Sequence, residues 1–483
     1  MNINERVLEA KSIHTFAWPF LFKNTKDKVV NLGDLESKLK KVGWKKYKFL
    51  FDSKCEDYED REDFVARIKQ DAALSQYLSK SCKSIYIDND SEMCSIYKIK
   101  KFSCGKYDYI IEKGNQKYVL PIVEIELHVY KYGIGILFIQ LINNDYNNIS
   151  DIKIINDLGR RVLLPFIPNK NEDDTSEETI GFSLTADKLG IVGYKELGKV
   201  INEKKSIINY KKAIVDFYSG QSDGIKKCLE EPEFLQTIIN NFNEEDEINI
   251  QSAIDDRMFC SCVIRDEELV DKIKLAEFCN EDSYSIVFVD SGDATCKEEE
   301  MRKGLMEKAC YKRWQNYGTM YAFTEYSAFC ITSGDSKIND SVVKPFISLY
   351  TYLISLVLLQ RVGIAKFSEE AGLLARGIGN KGKIKKWKTK QLIELQEQYI
   401  EFENQIMLLE ASNQQQGIEM YQKLQGQFLI CDEKKILDAQ MQGLYEVANM
   451  SASIKLADAA NKLAWIAIVI GVLSLIPFII EII

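Results

Sequence analysis

The chain has 483 residues, enough for two or three domains with proper cores, and its 46% hydrophobic content with only seven prolines describes an ordered protein. A formal net charge of −9 argues against stable nucleic-acid binding, although local basic patches can still take an anion. Only two histidines, His14 and His128, are present, which nearly removes His-based triads, zinc hydrolase sites and most His-dependent acid–base schemes.

The chain opens on the polar stretch MNINERVLEAKSIHTF, so no secretory signal peptide is expected and the body is expected to be cytoplasmic. Twelve scattered cysteines suit a reducing compartment. Cys260 and Cys262 form a CxC pair without a second pair at zinc-finger spacing, and most cysteines read as small buried hydrophobes.

Residues 1–170 read as an N-terminal α+β cytosolic domain. SIHTFAWPFLF (12–22) is strand-like, and EDFVARIKQDAALSQYL (62–78) has helical period. SIYI, CSIYKIKKF and KYDYIIEK follow as strand candidates. In VLPIVEIELHVYKYGIGILFIQLI, Glu124, Glu126, His128 and Tyr130 alternate with Ile125, Leu127 and Val129, the period-2 signature of a half-exposed strand. Gly133 and Gly135 mark a turn or bulge between two paired strands. Glu124, Glu126 and His128 project to one side and could ligate a metal, with a solvated strand face as the plainer alternative. Arg160 and Arg161, in a turn after INDLG, could present two guanidinium groups to a phosphate, or serve as salt-bridged structural residues.

An acidic stretch, NEDDTSEET (171–179), reads as a linker, and 180–375 as a second α+β unit ending in a buried helix. Its clearest strands are DDRMFCSCVIRD (255–266), SYSIVFVDS (283–291) and MYAFTEYSAFCIT (320–332). Asp255 and Asp256 are paired carboxylates of the kind that bind Mg²⁺ or do acid–base work, but no partner set accompanies them. The aromatic cluster YKRWQNYGTMYAFTEYS (311–327) offers Arg313, Tyr317 and Thr319 to a ring or base, though tight packing at a strand start explains it equally well. PFISLYTYLISLVLLQ (345–360) carries no charge, yet it is short of the usual ~20 residues and contains polar side chains, so it reads as a core helix with a second span as the alternative.

From 376 to 462 the expectation is a helical stalk or hairpin. GIGNKGKI (377–384) fits G-x4-G-K but has Ile384 where a P-loop needs Ser or Thr and follows a helical stretch, so it reads as a glycine-rich hinge. The lysines of KGKIKKWKTK read as a solvated face or a headgroup-binding patch. Leu392, Leu395, Tyr399, Phe402, Ile406 and Leu409 follow a/d heptad spacing, consistent with a coiled coil or an antiparallel helix pair within one protomer. A second helix then runs directly into 463–483, LAWIAIVIGVLSLIPFIIEII. Leu463 to Ile480 holds no charged side chain, which predicts a single transmembrane helix; the alternative is a buried C-terminal helix. Trp465 sits at interfacial depth behind Lys462, Ser474 is the one polar side chain of the span, and Pro477 falls in its final turns. No catalytic constellation stands out, so an enzyme is not expected.

DDRMF (255–259), YKRWQNYGTMYAFTEYS (311–327), LQRVGIAKFSEE (359–370), QQQGIEMYQKLQ (414–425), INDLGRRVLLPF (155–166) and YGIGIL (132–137) resemble blocks of a poorly characterised bacterial family of CorA-like, divalent-cation-transporter-like membrane proteins. The resemblance implies an α/β cytosolic body, a long stalk helix continuous with the span, and assembly as a homo-oligomer, a pentamer if CorA-like, in the inner (cell) membrane. It further implies a channel or membrane effector, with antiviral defence gated by a nucleotide second messenger as one role and a divalent cation (Mg²⁺) as a possible ligand. The chain departs from the family's transporters in lacking the Gly-Met-Asn signature and the second span, so Mg²⁺ selectivity does not carry over. A membrane-tethered scaffold without a pore is the second reading, and an enzyme acting on a nucleotide or lipid through Asp255, Asp256 and Arg313 the third.

Overall fold

A computed structural model of the chain describes residues 7–23, 32–49, 61–88, 92–99, 106–164, 167, 185–193, 205–221, 223–230, 233–241, 248–254, 257–292, 294–376 and 386–482. The acidic stretch 171–179, the glycine-rich stretch 377–384 and the pair Asp255 and Asp256 lie outside the described residues.

Thirteen strands among the described residues join in a mixed α/β sheet. They are β1 (Ser12–Lys23), β2 (Lys45–Lys46), β3 (Cys94–Lys98), β4 (Tyr107–Lys113), β5 (Gln116–Tyr130), β6 (Ile134–Asn143), β7 (Lys188–Gly193) and β8 (Lys205–Asn209), followed by β9 (Asn249–Ser252), β10 (Phe259–Arg265), β11 (Cys310–Tyr311), β12 (Met320–Phe323) and β13 (Ser327–Thr332). The main order is β11-β12-β13-β10-β1-β6-β5-β4-β7-β8, with β2 and β3 beside β5 and β9 continuing the pairing of β1. Only β10 and β13 run parallel; the remaining ladders are antiparallel.

The near-continuous apolar run of β1 suits a strand covered on both faces, and Ser12 through Phe20 are all buried. One edge of β1 pairs with β6 over its length, with Phe16 opposite Ile139 and Trp18 opposite Leu137. Its other edge changes partner: β10 pairs up to Ala17, and β9 takes over at Phe20. Pro19 falls in that gap, where its missing N–H leaves no ladder bond unmade. Because β6 comes from the first α+β stretch of the sequence and β10 from the second, β1 stitches the two into one sheet. Gly133 takes a positive φ of 71° in the β5–β6 turn, and a side chain at Gly135 would collide with the ring of Phe20.

The chain divides into two compact units, Met1–Val362 with Leu408–Ile430, and Gly363–Met407 with Cys431–Ile483. The division falls inside the core helix Leu349–Ala375. In the second unit that helix's last part packs on the helix Lys386–Ile406: Gly363 leaves room for the ring of Phe402, and Phe367 stands 5.5 Å from Tyr399 and 5.3 Å from Phe402. The C-terminal helix Ile430–Ile482 runs antiparallel to Lys386–Ile406, with Lys434 bonded to Glu403 at 2.6 Å and Leu392 packed with Ala448. Five of the six heptad positions, Leu392 to Ile406, are buried in this unit; Leu409 lies past the helix end and is exposed.

Three strand expectations are corrected. SYSIVFVDS forms a helix, Glu281–Val287, because Asn280 caps it by accepting the Ser283 amide at 2.9 Å and Glu281 and Asp282 occupy its first turn. SIYI ends the helix Lys80–Tyr86, which Ser79 caps through the Cys82 amide. MYAFTEYSAFCIT is a hairpin, β12 and β13, instead of one strand. Two helical stretches, Ser336–Ala375 and Ile430–Leu473, are long and apolar enough to cross a membrane; 56% of the apolar window is buried in the first and 0% in the second.

Candidate functional site

The arginine turn is held by backbone on both sides. It follows the helix Ile149–Gly159, whose last carbonyl accepts the Tyr109 hydroxyl at 2.7 Å. Arg161 bridges antiparallel to Arg257, and the Met258 amide donates to the Arg160 carbonyl at 2.7 Å. Within this frame Asp157 is fully used: Oδ1 accepts Arg161 Nε at 3.0 Å and lies 2.8 Å from its Nη2, while Oδ2 accepts the Ser291 hydroxyl at 2.7 Å. Arg161 is thus the salt-bridged residue of the two.

Arg160 is different. It is 2% exposed, its guanidinium comes no nearer than 3.9 Å to Asp157, and its Nε and Nη1 have no hydrogen-bond partner. Burial pulls its pKa below the ordinary guanidinium value; Asp157 opposes this, and Arg257 and Arg161 add to it. Its Cζ lies 5.6 Å from the centre of the Tyr326 ring, and Arg257 Cζ lies 4.7 Å from the same ring. Tyr326 and Arg257 in turn line a niche of about 30 Å³ with Phe259, Phe428, Arg361 and Glu325. The niche sits where Pro19 interrupts the pairing of β1, since Pro19 also borders it. Arg361 stacks on Phe428 at 5.1 Å. The sequence pointed to Arg160 and Arg161; Arg257, Arg361 and Tyr326 were missed as partners. Their signal lay in three blocks far apart in the chain, which only the sheet brings together.

Arg313, Tyr317 and Thr319 do not converge. Arg313 is held by both carboxylate oxygens of Glu419 at 2.7 Å, and the Tyr311 hydroxyl bonds the same group. Hydrogen bonds from Arg313, Tyr311 and Gln415 hold the Glu419 carboxyl down to about 2. Trp314 donates to Gln416 at 2.8 Å, so the cluster fastens the helix Gln415–Gln427 to the sheet. Tyr317 is exposed, while Thr319 is buried against Thr332 at 3.0 Å.

The strand face bearing Glu124, Glu126 and His128 is not a solvated or metal-binding face. Lys98, on the neighbouring β3, lies 2.9 Å from Glu124 and 2.7 Å from Glu126, so an ammonium occupies the place a cation would take. Burial favours the neutral acid at Glu126, but Lys98 and His128 outweigh it and hold the carboxyl well below its usual range. His128 is fully buried, 2.5 Å from Glu126 through Nε2 and 2.8 Å from the Ser355 hydroxyl through Nδ1. This is the bonding order of a Ser-His-acid triad. However, Ser355 is fully buried on the core helix and 2.6 Å from the Tyr130 hydroxyl, which leaves no approach for a substrate. The group docks a helix on the sheet. Among the described residues no cluster of three or more His, Cys, Asp or Glu side chains can hold a metal ion.

In the C-terminal apolar segment, Trp465 is exposed; Ser474 and Pro477 lie on the helix Ile430–Ile482, with side chains outside the described set. Comparison of the chain with protein-family models, with curated proteins and with solved structures finds no match.

Proposed function

We propose that this chain is a membrane-anchored effector: the α/β body stands outside the bilayer, the C-terminal helix enters it, and copies associate through that helix to perturb or conduct across the membrane. The carrying observation is the state of that helix. Every described side chain from Leu456 to Leu473 is exposed, including large hydrophobics from 52% at Val469 to 72% at Leu456. A helix apolar on all sides requires an apolar surround. Leu463 to Ile480 is uncharged and about 27 Å long, close to the thickness of a hydrocarbon core. The core helix reads otherwise, because its polar side chains Ser355 and Gln360 are buried and bonded within the body.

Self-association draws support from the helix's small residues. Ser453, Ala457, Ala460, Ala464, Ala467, Gly471 and Ser474 recur at alternating spacings of four and three, one stripe that lets neighbouring helices approach closely. The order of body, continuous helix and span is also the order implied by the CorA-like resemblance. The test is membrane fractionation of the Ile468→Arg/Val472→Arg double variant. Each arginine at mid-span costs about 2.5–3.5 kcal/mol of insertion, so the protein should move from carbonate-resistant membranes to the soluble fraction. Continued membrane retention would show that this helix is not the anchor.

A further inference from the structure

Arg160 poses a physical problem that the fold leaves unsolved. Its guanidinium is nine-tenths buried, two of its three nitrogens have no hydrogen-bond partner, and the nearest carboxylate already serves Arg161 and Ser291. Buried guanidinium donors left without hydrogen-bond partners are strongly unfavourable, and Asp157 at 3.9 Å from Nη2 compensates them only in part. More positive charge lies nearby: Arg257 shares the Tyr326 ring, and Arg361 lines the adjoining niche. Glu325 is the one carboxylate among the described residues lining that niche, and it is exposed.

We propose that Arg160, with Arg257 and Arg361, forms a binding site for a phosphate monoester dianion beside Tyr326. The oxyanion matches the unpartnered Nε and Nη1 of Arg160, and Arg is the side chain that donates to phosphate in a fork. Size limits what enters. A niche of about 30 Å³ holds one or two water-sized groups, so it takes phosphate oxygens and leaves the rest of any ester outside. Tyr326, half-buried and one side chain from Arg160, must swing aside for the oxyanion to reach the unpartnered nitrogens. The ester can be a soluble phosphate or a lipid headgroup of the phosphatidic acid type, and both offer the same dianion. The proposal does not depend on how the C-terminal helix is covered.

The experiment is thermal unfolding of the detergent-solubilised full chain with inorganic phosphate against chloride at matched ionic strength, and separately in mixed micelles containing phosphatidic acid. A phosphate-specific rise in Tm is expected by linkage. Arg160→Met should abolish it. Arg361→Gln, at the half-exposed rim, should weaken phosphate affinity roughly tenfold, the value of one charged hydrogen bond. Arg313→Gln, whose guanidinium belongs to Glu419, should leave the response intact. A rise with phosphatidic acid alone would support the site and identify the lipid as its source. No rise with either ligand would overturn the proposal. So would a rise in Arg160→Met, or an unchanged phosphate affinity in Arg361→Gln; should Arg160→Met fail to fold, the affinity of Arg361→Gln decides.

Discussion

The two histidines behave as structural donors, and one of them carries a pH prediction. His14 is buried, its Nδ1 2.7 Å from Asn156 Oδ1 and its Nε2 2.9 Å from the Ser12 hydroxyl, which itself accepts from Asn143 Nδ2 at 2.9 Å. The acceptor at Asn156 places the ring proton on Nδ1, so Ser12 donates to Nε2 and the neutral ring is fully satisfied. Burial therefore lowers its pKa from 6.5 to about 4, against a small opposing effect of Asn156. With the folded value below the unfolded one, the contribution is complete above pH 6.5 and is lost as pH falls toward 4. Stability measured by urea unfolding should decline across that window, and His14→Gln should flatten the decline; an unchanged slope in the variant would assign it to other groups. The sequence supplied the count of histidines but not this outcome. Burial depends on which strands flank β1, and those flanks come from residues more than a hundred positions away. The same distance hid the company of Arg160.

At the scale of elements, periodicity was readable where one face decided it and misleading where caps decided. The heptad helix Lys386–Ile406 follows its pattern because burial of a/d positions is the dominant local energy, while β1 and β6, buried on both faces, follow their continuous apolar runs. SYSIVFVDS has a strand's composition, yet one asparagine cap and two acidic residues make it a helix. The uncharged stretch 345–360 shows how a polar minority resolves an ambiguity of length. Ser355 meets His128 and Tyr130, and Gln360 accepts from Gln425 at 3.0 Å and donates to Tyr421 at 2.7 Å, bonds that a lipid-facing helix would not have. Ser355→Ala should accordingly cost about 1–3 kcal/mol, the price of leaving buried partners unsatisfied. Equilibrium unfolding measures it, and a loss near zero would mean that the Glu126–His128 chain does not help to fix this helix.

For the whole molecule, the decisive asymmetry is that one apolar helix is covered by the chain itself and the other is not. A bilayer would cover all sides of the second helix equally, whereas self-association would cover only the stripe of small residues. These two coverings separate experimentally at Gly471. A Cβ added there meets no described atom within 4 Å outside its own helix backbone and chain neighbours, so the protomer's described fold leaves room for it. Gly471→Leu should therefore leave membrane retention and helicity unchanged. It would still block the close helix approach that small residues allow. Light scattering of the solubilised protein should then show a fall in mass from a defined oligomer, while Val469→Leu, off the stripe, should not change it. A monomer already in the parent protein would leave a single span with no means of lining a pore. Equal masses in all three proteins, above that of one chain, would place the association in the α/β body and make the C-terminal helix an anchor alone.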